Sequence, residues 1–328
     1  MSDESGPARV LDGGGVQRRA MAGRGIPLPR AIRNARQMYQ KHRKYTEREV
    51  ETYRARFELL AGLLERSTGK LVREAAVLEV GCGQRAVIPL LFAARGAEAC
   101  AVDVEMPTYR MGVPGLLRML RNNGAHRALK SVIRHVLFDR RFFAGLERAC
   151  GVNLRPFPAI DVRLADAART ELPKDRFDLV VSFHVLEHVV DVEATVRNIN
   201  SALKPGGVGY AVVHLFPSLS GGHCFDWQYA LDPSYPDWGI PAAVPPWDHL
   251  RENRYPSDSF LNRLRLSDYR DIFRRCMLVV AEDLQREGED LLPLAPPELL
   301  TRYNAEDLTT AFVAFTFRKK LAAGCFRA

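Results

Sequence analysis

The chain has 328 residues, 47% of them hydrophobic and 26% charged, which is typical of globular proteins and excludes disordered and collagen-like classes. This length suits one elaborated domain or two smaller ones. No apolar stretch approaches the roughly 20 residues that span a bilayer, and the six cysteines show no CxxC spacing. We therefore expect a cytoplasmic protein without a transmembrane segment, a disulfide framework or a zinc site.

The net charge of +8 is concentrated in two segments. Residues 1–75 carry 16 basic and 9 acidic side chains, residues 106–150 carry 9 and 2, and the remainder is net acidic. Such a distribution is compatible with a nucleic acid, an anionic membrane or an anionic small molecule as partner. No RNA-recognition string accompanies the basic residues, so a nucleic-acid substrate is not expected.

The first predicted elements are helical. Residues 1–28 are rich in Gly, Arg and Ser without a hydrophobic period, which predicts a disordered leader. Between 29 and 73 apolar residues recur at spacings of three, four and seven, which predicts an N-terminal extension of two helices. Thr46 is the expected cap of the second helix, with Glu49 in the capping-box position.

From residue 74 onward, short apolar strands alternate with helices, which implies parallel pairing. Helices are predicted at 86–94, 191–203 and 267–276, the last capped by Ser267. The seven predicted strands are 75–80, 97–103, 161–164, 177–183, 208–214, 277–281 and 309–318. The expected fold class for residues 74–328 is α/β, a Rossmann-like doubly wound sheet of seven strands, mostly parallel.

A basic helical insert, residues 106–158, interrupts this sheet after strand two. Part of it is amphipathic, with the apolar face Leu129, Val132, Ile133, Val136 and Leu137. The insert is either a solvated helix, a surface for RNA or anionic membrane, or a cationic lid over the active site, and we prefer the lid among the functional readings.

The second interruption, residues 215–260, is an irregular loop that contains all three tryptophans of the chain. Loops of this length are usually functional. Two readings stay open for its aromatic residues, a wall of the acceptor pocket or a satellite hydrophobic cluster that holds the loop together. The residues concerned are Phe225, Trp227, Trp238 and Trp247.

The string VLEVGCGQRA (77–86) is a strand followed by a glycine-rich turn into a helix, which predicts a cofactor site at the turn. Gly81, Gly83 and Ala86 fit the dinucleotide fingerprint, and Asp103 falls where a ribose-binding acid belongs. Glu79 distinguishes a dinucleotide from a cofactor of another kind. Its carboxylate would repel a pyrophosphate, whereas it suits a cofactor that carries a cationic amino-acid group.

Further motifs follow in a fixed order: FDLVVSFHVLEHV (177–189) runs from a buried strand into a polar turn, and LKPGG (203–207) precedes the next strand. With ExGxG (79–83), the acid at 103 and the DA pair at 166–167, the chain resembles the class I S-adenosylmethionine-dependent methyltransferases over about residues 70–215. Arg85 departs from the pattern, because many members have a third glycine there, which puts the shape of the turn in doubt.

The resemblance implies S-adenosyl-L-methionine as the cofactor and a role for each matching residue. Glu79 would face the methionine amine, Asp103 the ribose hydroxyls, and Asp166 with the Ala167 backbone the adenine edge. The implied cofactor-binding residues are Glu79, Gly81, Gly83, Asp103, Val104, Asp166, Ala167, Phe183 and His184.

Methyl transfer to a hydroxyl calls for a group that removes the proton. Histidines cluster near the predicted site, at positions 184, 188, 214, 223 and 249. We favour His223 and His249 as catalytic, because they lie in the aromatic loop, although such imidazoles can simply cap loop carbonyls. Asp248 beside His249 can orient that ring or join a metal site, but one such pair does not predict a metal, and none is expected.

These observations predict an S-adenosylmethionine-dependent methyltransferase that acts on a small molecule. The expected reaction is O-methylation of a hydroxyl on a metabolite or a sugar-containing compound, with an anionic acceptor as one way to use the basic insert. Three alternatives stay open: an NAD-dependent oxidoreductase, an RNA methyltransferase that uses the basic segments, and a binding or regulatory module that has kept the cofactor fold.

Overall fold

The computed structural model describes residues 28–110, 113–254, 256–257 and 259–321. The predicted leader lies outside the described residues except at its last position. The two expected N-terminal helices are present as α1 (Leu28–Lys44) and α2 (Thr46–Thr68). The predicted capping box is wrong. Thr46 lies inside the helix and its hydroxyl donates to the carbonyl of His42, while Glu49 instead pairs with Arg85.

A seven-stranded sheet forms the centre of the molecule, in the order β3-β2-β1-β4-β5-β7-β6. Strands β1 to β5 pair in parallel, and β7 runs antiparallel to both of its neighbours. The predicted fold class, a mostly parallel Rossmann-like sheet of seven strands, is confirmed. The strands are β1 Ala76–Val80, β2 Glu98–Asp103, β3 Asp161–Leu164, β4 Phe177–Phe183, β5 Leu203–His214, β6 Met277–Arg286 and β7 Thr310–Lys319.

Helices cover both faces of this sheet. The helices that follow α2 are α3 Val87–Ala94, α4 Val113–Asn123, α5 Ala125–Arg134, α6 Arg140–Cys150, α7 Val192–Ala202, α8 Leu266–Cys276, α9 Pro297–Arg302 and α10 Ala305–Thr309. Ser267 is not the cap of α8, because the helix begins one residue earlier and Asp268 accepts from the backbone N–H of Arg265 at 2.8 Å.

Each face of the sheet buries its own hydrophobic cluster, as expected for strands that are apolar on both sides. One cluster packs α7 and α8 against the sheet, and the other packs α2, α3 and α6. Leu60 and Leu64 of α2 are fully buried in the second cluster. Each such leucine contributes about 1.5–3 kcal/mol by burial, so α2 is part of the core that supports the site.

Arg85, the departure from the methyltransferase pattern, joins the helical additions to the glycine-rich turn. Its guanidinium is buried and donates to Glu49 of α2 and to Asp139 of the insert, both at 2.8 Å. Asp139 closes a short π-helical turn, His135–Asp139, and also pairs with Arg134. The turn next to the cofactor motif is thus braced by two ion pairs rather than by a third glycine.

The apolar face predicted for the insert does not enter the described core. Leu129, Ile133, Val136 and Leu137 are all exposed, the last by 55%. Besides the Arg85 ion pair, α6 packs the insert on the core, where Phe142 meets Tyr53 of α2 edge to face at 5.8 Å.

The aromatic loop folds around its own cluster. Trp247 is fully buried and donates to the carbonyl of Leu308 at 3.1 Å, and Trp227 donates to Val244 at the same distance. Both belong to a satellite cluster with α9 and α10 residues. Trp238, which packs near Phe225, sits against Tyr45 at the start of α2. The tryptophans therefore hold the loop together.

Candidate functional site

The glycine-rich turn after β1 lies very close to the segment that follows β4. Gly81 and Gly83 have φ of +79° and +62°, in the left-handed region that favours glycine. A Cβ on Gly81 would lie 2.1 Å from Cγ2 of Val185, which follows β4. The backbone N–H of Gly83 donates to Asp103 at 2.8 Å, so the turn is tied to the end of β2.

A cavity of about 430 Å³ opens where the carboxyl ends of the parallel strands meet. This edge is where ligands bind in open α/β sheets, and the volume is in the range of small-ligand sites. All nine residues that the sequence predicts for cofactor binding line it: Glu79, Gly81, Gly83, Asp103, Val104, Asp166, Ala167, Phe183 and His184.

Glu79 is the most strongly perturbed acid of the cavity. The side chain is 5% exposed, and its Oε2 has no hydrogen-bond partner among the described residues. Burial raises the pKa of Glu79 to about 8, with Arg56 opposing the shift and Asp103 adding to it. A buried carboxyl oxygen without a partner is costly, so the site is suited to a ligand that brings a cation or a hydrogen-bond donor.

Asp103 ends β2 with both carboxylate oxygens directed at backbone amides. Oδ2 accepts from Gly83 and Oδ1 from Glu105, each at 2.8 Å. Burial raises the pKa of Asp103 to about 6, while these amides oppose the shift. Each carboxylate oxygen has a second lone pair, so the pair of oxygens can still accept two hydroxyl donors.

The DA pair after β3 forms the far wall of the cavity. Asp166 is buried and accepts from the backbone N–H of Ala168 at 2.9 Å. The Ala167 carbonyl accepts from Asn198 of α7 at 2.8 Å, which holds this backbone in place.

Helix α2 supplies lining residues that the sequence reasoning missed. Tyr53 and Arg56 both face the cavity. The Arg56 guanidinium lies 4.7 Å from the ring of Phe183, and its Nη2 donates to Nε2 of His184 at 3.0 Å. Burial and this guanidinium lower the pKa of His184 to about 3. The helical period of α2 carried no sign of this role, since a charged residue on an amphipathic helix is normally solvated.

Residues 52–312 match the family model of the methyltransferase domain. The chain belongs to this methyltransferase family. The predicted family and cofactor, S-adenosyl-L-methionine, are confirmed, and the alternative of an NAD-dependent oxidoreductase is wrong. The matched range starts inside α2 and ends in β7.

The individual relatives match a shorter part of the chain than the family model does. An uncharacterized methyltransferase of Mycobacterium tuberculosis is 30% identical over 104 residues, 31% of this chain and 49% of that protein. An uncharacterized methyltransferase of Mycobacterium bovis matches to the same extent. The chain thus spans about half the length of these curated relatives.

Solved structures match the chain over more of its length than these relatives do, but at low sequence identity. An S-adenosylmethionine-dependent methyltransferase of Mesorhizobium loti is 18% identical with a TM-score of 0.40, covering 74% of this chain and 90% of that one. Geranyl diphosphate C-methyltransferase of Streptomyces coelicolor is 10% identical with a TM-score of 0.41, covering 80% and 79%. Across the described residues of this chain, no helix combines the length and apolarity needed to cross a membrane.

Histidines form a second feature of the chain, beside the cavity. His184 and His188 line the cavity, and the ring of His188 lies 4.9 Å from that of His223. His223 in turn stacks on His214 at 4.7 Å. Burial lowers the pKa of His223 to about 3, so this imidazole is neutral at physiological pH.

The two histidines predicted to be catalytic differ in position. His223 is packed on His188, next to the cavity, whereas His249 is not among the described residues that line it. The His249 Nε2–H donates to the carbonyl of Phe216 at 2.8 Å, the capping role that the sequence left open. Asp248 does not orient that ring in the described bonds. It accepts instead from the backbone of Arg254 at 2.8 Å.

Proposed function

We propose that the whole protein transfers a methyl group from S-adenosyl-L-methionine to a hydroxyl oxygen of a small molecule. The observation that carries the cofactor assignment is the orphaned, buried Oε2 of Glu79 in the same cavity as the glycine-rich turn and Asp103. A cationic amino-acid group satisfies this oxygen and favours the ionised form of the carboxyl.

In this proposal Glu79 pairs with the methionine amine, and Asp103 accepts both ribose hydroxyls. Asp166 and the Ala167 backbone contact the adenine, while Phe183 and His184 border the methionine end. Gly81 and Gly83 let the backbone come close to the cofactor. When bound, the cofactor supplies an electrophilic methyl group, and the chain contributes chiefly by holding the reacting atoms in line.

The acceptor side of the cavity is proposed to lie at His184, His188 and Val189, which line it together with Ser259. Histidines border this end of the cavity, and an acceptor hydroxyl must lose a proton on methylation, so a hydroxyl is the acceptor that we propose. Of the two candidate bases, contact with His188 favours His223 over His249. Arg56 is a cation among the described lining residues, which supports an anionic group on the acceptor or on the cofactor.

The basic insert receives a different role in the proposal. None of the described lining residues comes from 106–158, so the cavity itself gives no support to a cationic lid or to an RNA substrate held there. The insert instead packs on α2, which carries Tyr53 and Arg56. We also propose a cytoplasmic location, because the buried cysteines Cys82, Cys100, Cys150 and Cys276 are free thiols.

The first experiment measures cofactor binding to the full chain by calorimetry, with S-adenosyl-L-methionine and NADH compared side by side. We expect the former to bind and Asp103→Asn to weaken it. The second supplies cofactor with a labelled methyl group to a library of small hydroxyl compounds and, separately, to total RNA. Label that appears only in RNA, or on carbon or nitrogen of the small molecules, would overturn the acceptor proposal.

A further inference from the structure

Two buried side chains and one partly buried side chain, none of them used by the cofactor site, converge behind the acceptor end of the cavity. Glu187 lies in the short turn Leu186–His188 after β4, His214 ends β5, and His223 comes from the aromatic loop. One ligand atom from each lies within 4.8 Å of the other two. No metal is expected from the sequence, so this grouping is a result of the tertiary structure.

The grouping leaves strong polar atoms without partners. Glu187 is 1% exposed, and neither of its carboxylate oxygens has a partner with full hydrogen-bond geometry among the described residues, although the backbone amides of Glu187 and His214 approach the carboxylate. Nε2 of His223 also lacks a partner among the described residues. A buried carboxylate and a buried imidazole nitrogen with so few donors need a cation or added protons to offset desolvation.

The third member is oriented as a ligand would be. Nε2 of His214 lies 2.8 Å from Oγ of Ser220, whose hydroxyl donates to Oε1 of Glu287 at 2.7 Å. Because that hydroxyl proton is committed to Glu287, His214 donates from Nε2 to the serine oxygen, which leaves the lone pair on Nδ1. A hydrogen-bonded chain from one ring nitrogen to a carboxylate is the arrangement that holds metal-ligating histidines in place.

We propose that Glu187, His214 and His223 bind a divalent transition-metal ion. Two imidazoles and one carboxylate suit zinc, iron(II), cobalt(II) or manganese(II), whereas magnesium and calcium prefer ligand sets made of oxygen. Three protein ligands leave at least one coordination position for water or substrate, as in catalytic zinc sites. His188, which lines the cavity and touches His223, separates the ion from the cavity by one side chain.

The role of this ion rests on the proposed function. None of the three ligands lines the cavity, so the ion coordinates an acceptor hydroxyl that extends past His188. Coordination there lowers the pKa of that hydroxyl, and the proton leaves to water at neutral pH. The acceptor oxygen then forms the O–C bond with a lone pair as the C–S bond breaks, and that electron pair stays on the sulfur, which becomes a neutral thioether. In this role His223 is a ligand, and no free imidazole base is needed.

Metal binding is tested first without cofactor or acceptor. The full chain, made without a polyhistidine tag, is stripped with a chelator and titrated with Zn²⁺, Co²⁺ and Mg²⁺. We expect one Zn²⁺ or Co²⁺ per chain, visible absorption bands for bound Co²⁺, and no comparable affinity for Mg²⁺. Wild-type protein that binds none of the transition metals, or that binds only Mg²⁺, overturns the proposal.

Matched variants locate the site. Glu187→Gln keeps the side-chain shape. We expect both Glu187→Gln and His223→Asn to weaken Co²⁺ binding by roughly 100-fold or more. That loss exceeds the one expected when a residue that only hydrogen-bonds to a metal ligand is removed. The control is His249→Asn, which replaces another partly buried histidine of the same loop and should bind Co²⁺ as the wild type does. Equal affinity in all three variants would place the ion elsewhere and refute the assignment.

A final comparison separates this inference from the proposed function. S-adenosyl-L-methionine binding is measured in stripped and Zn²⁺-loaded wild type, and we expect it in both. If the stripped protein methylates a hydroxyl acceptor at the full rate, the role of the ion is wrong and the proposed function stands. If metal binds at Glu187 and His223 but label goes to no hydroxyl, the metal site stands and O-methylation fails.

Discussion

Protonation of Glu79 should be linked to cofactor binding. With a pKa of about 8, this carboxyl is protonated in roughly ten of eleven free molecules at pH 7. A cationic amine next to it favours the ionised form, so binding should release about 0.9 proton from Glu79 at pH 7. Ionising the group at that pH costs about 1.4 kcal/mol, and the association constant should therefore rise nearly tenfold per pH unit below 8.

Calorimetry in two buffers of different ionisation enthalpy measures this proton release directly. The amine of the cofactor titrates in the same range, since α-amino groups have a pKa of about 7.7–8.0. The informative quantity is therefore the difference between wild type and Glu79→Gln, which keeps the side-chain shape and cannot ionise. Equal proton release by the two proteins at pH 7 would refute both the protonated state of Glu79 and its pairing with the amine.

Three further outcomes are expected. Asp103→Asn should weaken cofactor binding by about 1.5–3 kcal/mol, roughly 10- to 150-fold. The affinity of the wild type should fall further below pH 6, because Asp103 is then protonated. Calorimetry that shows neither change would remove Asp103 from the site. Gly81→Ala should lower the free energy of unfolding in urea by about 2–4 kcal/mol, through left-handed strain and the clash with Val185. Adding Val185→Ala should recover the steric part, and a double mutant with no coupling would contradict this account. Arg85→Met breaks buried ion pairs and should lower the free energy of unfolding by about 3 kcal/mol. The control Arg54→Met, which breaks an ion pair on the surface of α2, should lower it by less than about 1 kcal/mol. Similar losses in the two variants would mean that Arg85 is not a brace.

The cofactor half of the site was accessible from the sequence because its signals are local. A strand, a positive-φ turn and a helix follow one another within 77–94, and an acid at the end of the next strand returns to the same edge in a parallel sheet. All nine residues named on that basis line one cavity. Tyr53 and Arg56 could not be found in the same way, because their helix precedes the sheet and only packing brings it over the cavity.

The proposed acceptor side depends on contacts between distant segments. The aromatic loop has no hydrophobic period, so the sequence could not decide whether its tryptophans wall the acceptor pocket or form a satellite cluster. The buried indole N–H groups of Trp227 and Trp247 donate to backbone carbonyls, which agrees with the satellite cluster. His249 looked equivalent to His223 in the sequence. The fold directs its Nε2–H to a loop carbonyl, while His223 reaches the end of β5.

By itself, the sequence determined the seven strands, the glycine-rich turn and the family, because hydrophobic period and turn chemistry act over a few neighbouring residues. Only the tertiary structure decided that Arg85 serves as a brace between α2 and the insert. The same is true of the grouping of Glu187, His214 and His223. These residues lie in three segments whose spacing carries no period, and their meeting depends on the order in which the strands pair.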